Sequence, residues 1–540
     1  MAVVAFDRRP LPDCDDETVT AWRGHIWPVA ALLLLGSVAF VHLTTLPPYE
    51  DEGSQLRWIW RVIEAGEWLQ PLGDGKPLEA WPMVPLVRLG LHPLTAMRAL
   101  HVIAGMIGAV LTYGLALQVN GRDTAFVSAA LFAICPFVVN LERFAVSDIF
   151  MCAAGVWVLL SVMQFVRSPT SRHAIGFAGG LVLAAFCKFP VGFVFLVAMP
   201  LALLLIPSHE RRSLLRPPAL TKLLAAHAPV ALLALAVIIV MVIRMRSGRP
   251  PGFGVQDLIG ISTGRYHDIA RVIGVPPTNL VDELTAQLSL PVTVIGLLGL
   301  VAGALLNDWR QRWLIAVGAV PMLGIGFLAT FWFPRYLVFT LPPLIVAAVS
   351  GWRSLALRAG RFRHPVQFGI LSVCVGFTGY QSALIIFDPT AARWSPVDRF
   401  QYFEGWSSGY GYPEAAKFVL ETPGAPLMIY SLDGHSAYQL LTYLPAAWTS
   451  RIKPIFYGQD GRVLLGEDAR LENLLSRTPA WIIISEQLLQ GYLDSSFGRT
   501  NLDRINLRQI ASFDKPGSRE RLAIYEVTRR ERDQRAIAAL

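Results

Sequence analysis

Residues Pro28–Gly53 read PVAALLLLGSVAFVHLTTLPPYEDEG. An apolar run reaches Leu46 and ends on Pro47, Pro48 and Tyr49 before three consecutive carboxylates, Glu50, Asp51 and Glu52. A helix needs ~20 mostly apolar residues to cross the ~30 Å hydrocarbon core of a bilayer, and 28–46 has that length. The stretch therefore predicts a membrane span that delivers an acidic cluster to its far end. Before it, residues 1–27 mix Arg8, Arg9 and Arg23 with Asp13, Asp15, Asp16 and Glu17, and no small-residue cleavage site follows. The run reads as a retained signal anchor behind a cytoplasmic tail, 1–27.

The rest of the chain agrees that lipid is the solvent. Of 540 residues, 54% are hydrophobic and 16% charged, far from the average of soluble domains. Ten further apolar windows, near 98–119, 123–140, 147–166, 174–187, 189–206, 227–244, 290–306, 312–331, 336–351 and 365–386, bring the expectation to about eleven spans within 28–387. The net charge of +8 argues against nucleic acid as a partner, because many basic residues sit in short loops between apolar runs rather than on one soluble face. Arg167, Arg172, Arg211, Arg212, Arg216, Lys222, Arg310, Arg312, Arg353, Arg358, Arg361 and Arg363 crowd four of those loops, against only Glu210 and Asp308. Positive loops stay in the cytoplasm. That assigns the loops 47–97, 141–148, 245–289 and 332–335 to the other side of a plasma (inner) membrane, together with everything after 388. The five cysteines show no paired spacing, so neither structural disulfides nor a cysteine metal site is expected.

From Asp388 the pattern changes to short strands alternating with helices. Pro426–Leu432, Trp481–Ser485, Gln509–Phe513 and Leu522–Val527 read as strands, and 414–421 and 467–477 as helices, with Pro413 as a first helical residue. The expectation for 388–540 is a soluble extracytoplasmic α/β domain, serving either stability or acceptor recognition.

The chemistry-bearing residues fall on the outer loops. After Gly53, Leu56, Ile59, Trp60 and Ile63 repeat at helical spacing, so this helix is expected to lie in the membrane interface and to hold the carboxylates at headgroup depth. Two readings stand for Glu50–Glu52: acids complementing a helix dipole, or part of a site. The same loop carries Lys76 in a Gly/Pro-framed turn, GDGKPLEAWP, where it is either a snorkelling anchor or a ligand. Arg143 and Asp148 flank the next outer loop as an ion pair or as site residues. Lys188 interrupts an apolar stretch, where a central charge costs ~2.5 to 3.5 kcal/mol, so it is expected at the outer turn of a helical hairpin. Arg335 and Tyr336 open the tenth span at the same face. The long loop 245–289 is a lid or a spacer.

In motif order and topology, YEDEG (49–53), GKPLEAWPM (75–83), ERFAVSD (142–148), FCKFP (186–190) and FPRYLVFTLPP (333–343) resemble the GT-C superfamily of polyprenyl-phosphate-sugar glycosyltransferases. The branches containing protein O-mannosyltransferases and the lipid A aminoarabinose transferase are the most similar. The resemblance covers about 28–351. It implies a GT-C type membrane domain that transfers a sugar from a polyprenyl phosphate to an acceptor hydroxyl on a lipid, glycan or protein. It implies Asp51 as general base with Glu52 beside it, Asp148 as a supporting acid or metal ligand, and Lys76, Arg143, Lys188, Arg335 and Tyr336 around the donor phosphate. Leu78 stands where the family's Lys-Pro-Pro element has its second proline. A divalent metal ion is possible in the family, and His267 is the best histidine for one. Because the donor already has a good leaving group, one displacement with inversion suffices. A transporter or lipid flippase is the alternative, since charges near spans also mark translocation paths.

Overall fold

In the computed structural model, the first apolar run is helical over Thr18–Ser37 and tightens into a 3-10 turn, Val38–Phe40. The structure describes residues 18–69, 71, 76–189, 191–246, 276–306, 308–328, 333–423, 429–431, 434–448, 451–454, 480–494, 505–517 and 520–529. Most of the tail 1–27, the loop 247–275 with His267, residues 72–75 and the expected helix 467–477 lie outside them. The backbone leaves the first helix six residues short of the expected end at Leu46. The carbonyls so released find donors on two buried arginines: Arg143 reaches Val41 and His42 at 2.6 and 2.7 Å, and Arg98 reaches Leu43 and Leu46 at 2.9 and 2.7 Å. Unpaired buried carbonyls are costly, so this unwound end depends on both guanidinium groups.

Helices occur at all eleven expected spans. Among the described residues, Pro93–Asn120, Asp148–Arg167, Pro217–Ala236, Pro334–Arg358 and Gly360–Phe387 are each long and apolar enough to cross a membrane, and two bent pairs raise the number to seven. The bends have local causes. Arg122–Ala133 turns by 49° into Pro136–Arg143, where Pro136 cannot donate to a continuing helix. The hairpin at Lys188 has the expected shape: helix Ser171–Cys187 ends there and a 3-10 segment, Val191–Val197, leads back into Ala198–Leu205.

On the helix Glu50–Ala65, Leu56 and Ile59 of the expected stripe are buried with Val62 against Met83, Val84, Leu94 and Met97, while Trp60 and Ile63 are half-buried. The C-terminal region carries a five-stranded sheet of order β2-β1-β3-β5-β4, made of β1 Ile429–Ser431, β2 Ile452–Pro454, β3 Ala480–Ser485, β4 Ile505–Asp514 and β5 Arg521–Arg529. β1 runs parallel to β2 and β3, and β5 antiparallel to β3 and β4. Every residue of β3 is buried, as its unbroken apolar run requires of a covered strand. Tyr412, Ala415 and Val419 of helix Tyr412–Glu421 share a core with Trp481, Ile483, Leu522 and Ile524.

Candidate active site

Tyr49 precedes the helix Glu50–Ala65 in extended backbone, and its amide donates to Glu52 Oε2 at 3.2 Å, one half of a capping box. The turn this creates points Asp51 and Glu52 in different directions. Asp51 is 29% exposed; it ion-pairs with Arg335 and accepts from the Tyr49 hydroxyl at 3.1 Å. Arg335 also donates to the Tyr49 hydroxyl at 3.0 Å. Burial, and next the Asp51 carboxylate, push the Tyr49 phenol well above its usual value, so it stays a proton donor.

Glu52 is fully buried. Arg98 meets both its oxygens at 2.8 Å, and the Tyr49 and Ala145 amides supply two more donors. Glu52, expected beside the base, thus has its carboxylate oxygens occupied by these four donors. Arg143, expected around the donor phosphate, is fully buried and donates to the backbone carbonyls of residues 41 and 42.

The other expected residues converge. Asp148 opens the helix Asp148–Arg167, and Lys188 reaches it from the hairpin turn at 2.9 Å. The Lys188 ammonium lies 4.3 Å from the Tyr336 ring centroid, within cation–π range. Lys76 begins a 3-10 turn, Pro77–Glu79, and pairs with Glu79 at 3.7 Å. Burial disfavours the charge on Lys76, but Glu79 and then Asp51 more than offset it and hold the ammonium above its usual range. Asp148 adds to that field. Asp51, Lys76, Asp148 and Arg335 therefore share one electrostatic environment although they come from distant parts of the chain.

Glu79 is a member that sequence reasoning missed. It is 1% exposed, accepts from the Ser147 amide at 2.6 Å, and is lifted above the usual carboxylate range chiefly by burial. It stood inside the motif GKPLEAWPM, where a buried destination for an acidic residue had no local sign. Arg98 was also missed. Its signal was a lone charge at the start of an apolar helix.

Three carboxylates, Asp51, Glu79 and Asp148, thus meet three side-chain cations, Arg335, Lys76 and Lys188. Each of these acids faces a cation. No group of three or more His, Cys, Asp or Glu suited to a metal occurs among the described residues.

A bundle of apolar helices with paired charges at one mouth and a sheet appended beside it makes this a multi-pass membrane protein. The particular likeness is to glycosyltransferases. Residues 74–243 match the family described as dolichyl-phosphate-mannose-protein mannosyltransferase. The fold is similar to that of ArnT from Cupriavidus metallidurans bound to undecaprenyl phosphate, with a TM-score of 0.56 at 15% identity over 94% of this chain and 98% of that one. It is similar also to the oligosaccharyltransferase AglB from Archaeoglobus fulgidus in complex with an inhibitory peptide and a dolichol-phosphate, with a TM-score of 0.55 at 12% identity over 92% and 74%. None of the curated proteins matches the chain by sequence. The resemblance to the GT-C superfamily is carried by the family match over 74–243 and by the fold.

Proposed function

We propose that this protein transfers a sugar from a polyprenyl-phosphate donor to an acceptor hydroxyl at the outer face of the membrane, by one inverting displacement. The observation that carries the reading is the meeting of Asp51, Lys76, Asp148, Lys188 and Arg335, from four separate outer segments, around one mouth. Independent membrane anchors have no reason to converge. In this reading eleven helices cross the plasma membrane, the tail 1–27 is cytoplasmic, and 388–540 forms an extracytoplasmic α/β domain. The ligands named for the two structural relatives support a polyprenyl phosphate as the donor's lipid.

The chemistry follows from the charges. Arg335, Lys76 and Lys188 are each paired with a carboxylate before the donor arrives, so the pocket is neutral and pre-assembled. The donor phosphate competes for those cations. As Arg335 turns toward it, the Asp51 carboxylate is released to take the proton of the acceptor hydroxyl. The acceptor oxygen then bonds to the anomeric carbon while the carbon–oxygen bond to phosphate breaks, and polyprenyl phosphate leaves with the electron pair. A carboxylate base contributes ~10² to 10⁴ in rate, and fixed cations at the leaving group act without reorganisation.

The test is mass spectrometry of lipid, glycan and protein fractions from cells with and without the gene, followed by reconstitution with the polyprenyl-phosphate sugar so identified. A new glycosidic bond of inverted configuration is expected. Transfer with retained configuration would overturn the single displacement, and vesicle flux of the donor without any transfer would favour a flippase.

A further inference from the structure

The turn that carries Asp51 is held from outside the membrane helices. The Glu50 amide, one of the first amides of its helix and so beyond the reach of any helical carbonyl, donates to the Ser407 carbonyl at 3.0 Å. The Pro48 carbonyl accepts from Gln439 Nε2 at 2.7 Å, although the two residues lie 391 positions apart, and the same nitrogen is 3.3 Å from the Ser407 carbonyl. Gln439 is 1% exposed. A Cβ on Gly409 would strike the Pro48 carbonyl oxygen, so the two segments are in register sterically as well. The Tyr402 ring packs edge-on against Tyr49 at 5.1 Å.

The turn 405–408 is itself gathered by one residue of the sheet. Lys515, just past β4 and 2% exposed, donates from Nζ to the carbonyls of Gly405, Ser408 and Trp406 at 2.9, 3.1 and 3.3 Å. All three of these Nζ contacts fall on this turn. A link made only to dock the sheet region would not need to end at residues 48–50. A separate contact, His92 Nε2 with the Thr442 carbonyl at 3.0 Å, joins the same two regions without touching them.

We propose that Gln439 and Lys515 are positioning residues for Asp51: the C-terminal sheet region sets the direction of the base through the turn 405–409 and the backbone of Pro48–Glu50. This rests on Asp51 acting as the base. Displacement of a reacting group by about 1 Å costs about 100-fold in rate, so a side chain far from the chemistry can control it.

The experiment uses full-length protein in nanodiscs with Gln439→Met, Lys515→Met, Lys515→Arg and, as a docking control, His92→Ala. Gln439→Met and Lys515→Met are expected to lower kcat about 10- to 100-fold with donor KM within about twofold, the pattern of an interaction needed only in the transition state. Lys515→Arg, which keeps the donors, recovers part of the loss, and His92→Ala leaves kcat near the parent value. Hydrogen exchange is expected to rise in the peptide 47–56 of both Met variants while β3 and β5 stay protected. If Lys515→Met unfolds the sheet, Gln439→Met alone decides. Unchanged exchange at 47–56, unchanged kcat despite raised exchange, or an equal kcat loss in His92→Ala each overturns the proposal. A parent protein with no transferase activity instead counts against the proposed function, and the exchange measurement still decides whether the sheet region holds the turn.

Discussion

Arg98 grips both carboxylate oxygens of Glu52 at 2.8 Å, with neither side chain exposed to solvent. The pair ties the helix Glu50–Ala65 to the helix Pro93–Asn120, and Arg98 continues to the carbonyls of Leu43 and Leu46. Breaking one partner of a buried pair typically costs ~3 to 5 kcal/mol, because the other charge is left uncompensated. Glu52→Ala and Arg98→Met are each expected to lower the thermal unfolding midpoint in detergent by several degrees and to reduce the yield of folded protein. A Glu52 variant that keeps the parent midpoint but loses all transfer would show that this carboxylate does chemistry after all.

Asp51→Asn should behave differently, since Asp51 lies at the open side of the same turn. The amide still accepts from the Tyr49 hydroxyl, so folding is retained. Transfer is expected to fall by at least ~10²-fold, the lower range for loss of a general base. Measured turnover within about threefold of the parent would remove Asp51 from the role of base.

Lys188→Met leaves Asp148 buried without its cation, whereas the double variant Lys188→Met with Asp148→Asn leaves no charge. The single variant is expected to lose both stability and donor affinity. The double variant should recover stability but not donor affinity, since the ammonium proposed to face the phosphate is still missing. Thermal unfolding and donor KM, measured on both, separate the two effects, and recovery of affinity in the double variant would show Lys188 to be only an anchor.

Asp398, hydrogen-bonded to the buried carboxyl of Glu283, supplies a pH dependence. It is 1% exposed, and burial raises its carboxyl well above the usual carboxylate range, even though Gln287 Nε2 donates to it at 3.2 Å. The folded protein therefore holds this proton more tightly than the unfolded chain, whose aspartates titrate near ~3.9. Its contribution to stability is fully present below the unfolded value and is lost as pH rises through the higher folded value. The unfolding midpoint is expected to fall as pH rises above about 4, and Asp398→Asn should flatten that slope. An identical slope in Asp398→Asn would assign the dependence to other groups.

Which features were visible beforehand follows from how far each one depends on distant residues. Lys188 was legible because a charge in an apolar run must find an exit, and a hairpin turn is the nearest one. Asp148 and Arg335 were legible as charges at the ends of spans on a single face. Glu52 was not separable from Asp51, since adjacent helical residues differ by about 100° in direction and only the position of Arg98 decides which one is buried. The carbonyl partners of Arg143 had no sign in sequence. Those acceptors, the carbonyls of residues 41 and 42, are offered only because the first helix unwinds early.

By itself, then, the sequence determined the solvent of the chain, the places of its apolar helices and four of the five strands of its C-terminal sheet, the short β2 being missed. These depend on hydropathy and on periods of two or 3.6 residues, which a short window contains. Tertiary structure alone decided that Glu52 is buried against Arg98 while Asp51 faces Arg335, that Glu79 lies beside Lys76, and that Gln439 reaches Pro48 and Lys515 the turn 405–408. Most of those outcomes are pairings between groups tens to hundreds of residues apart, and a buried charge or carbonyl is satisfied by whichever partner the fold brings within hydrogen-bonding distance.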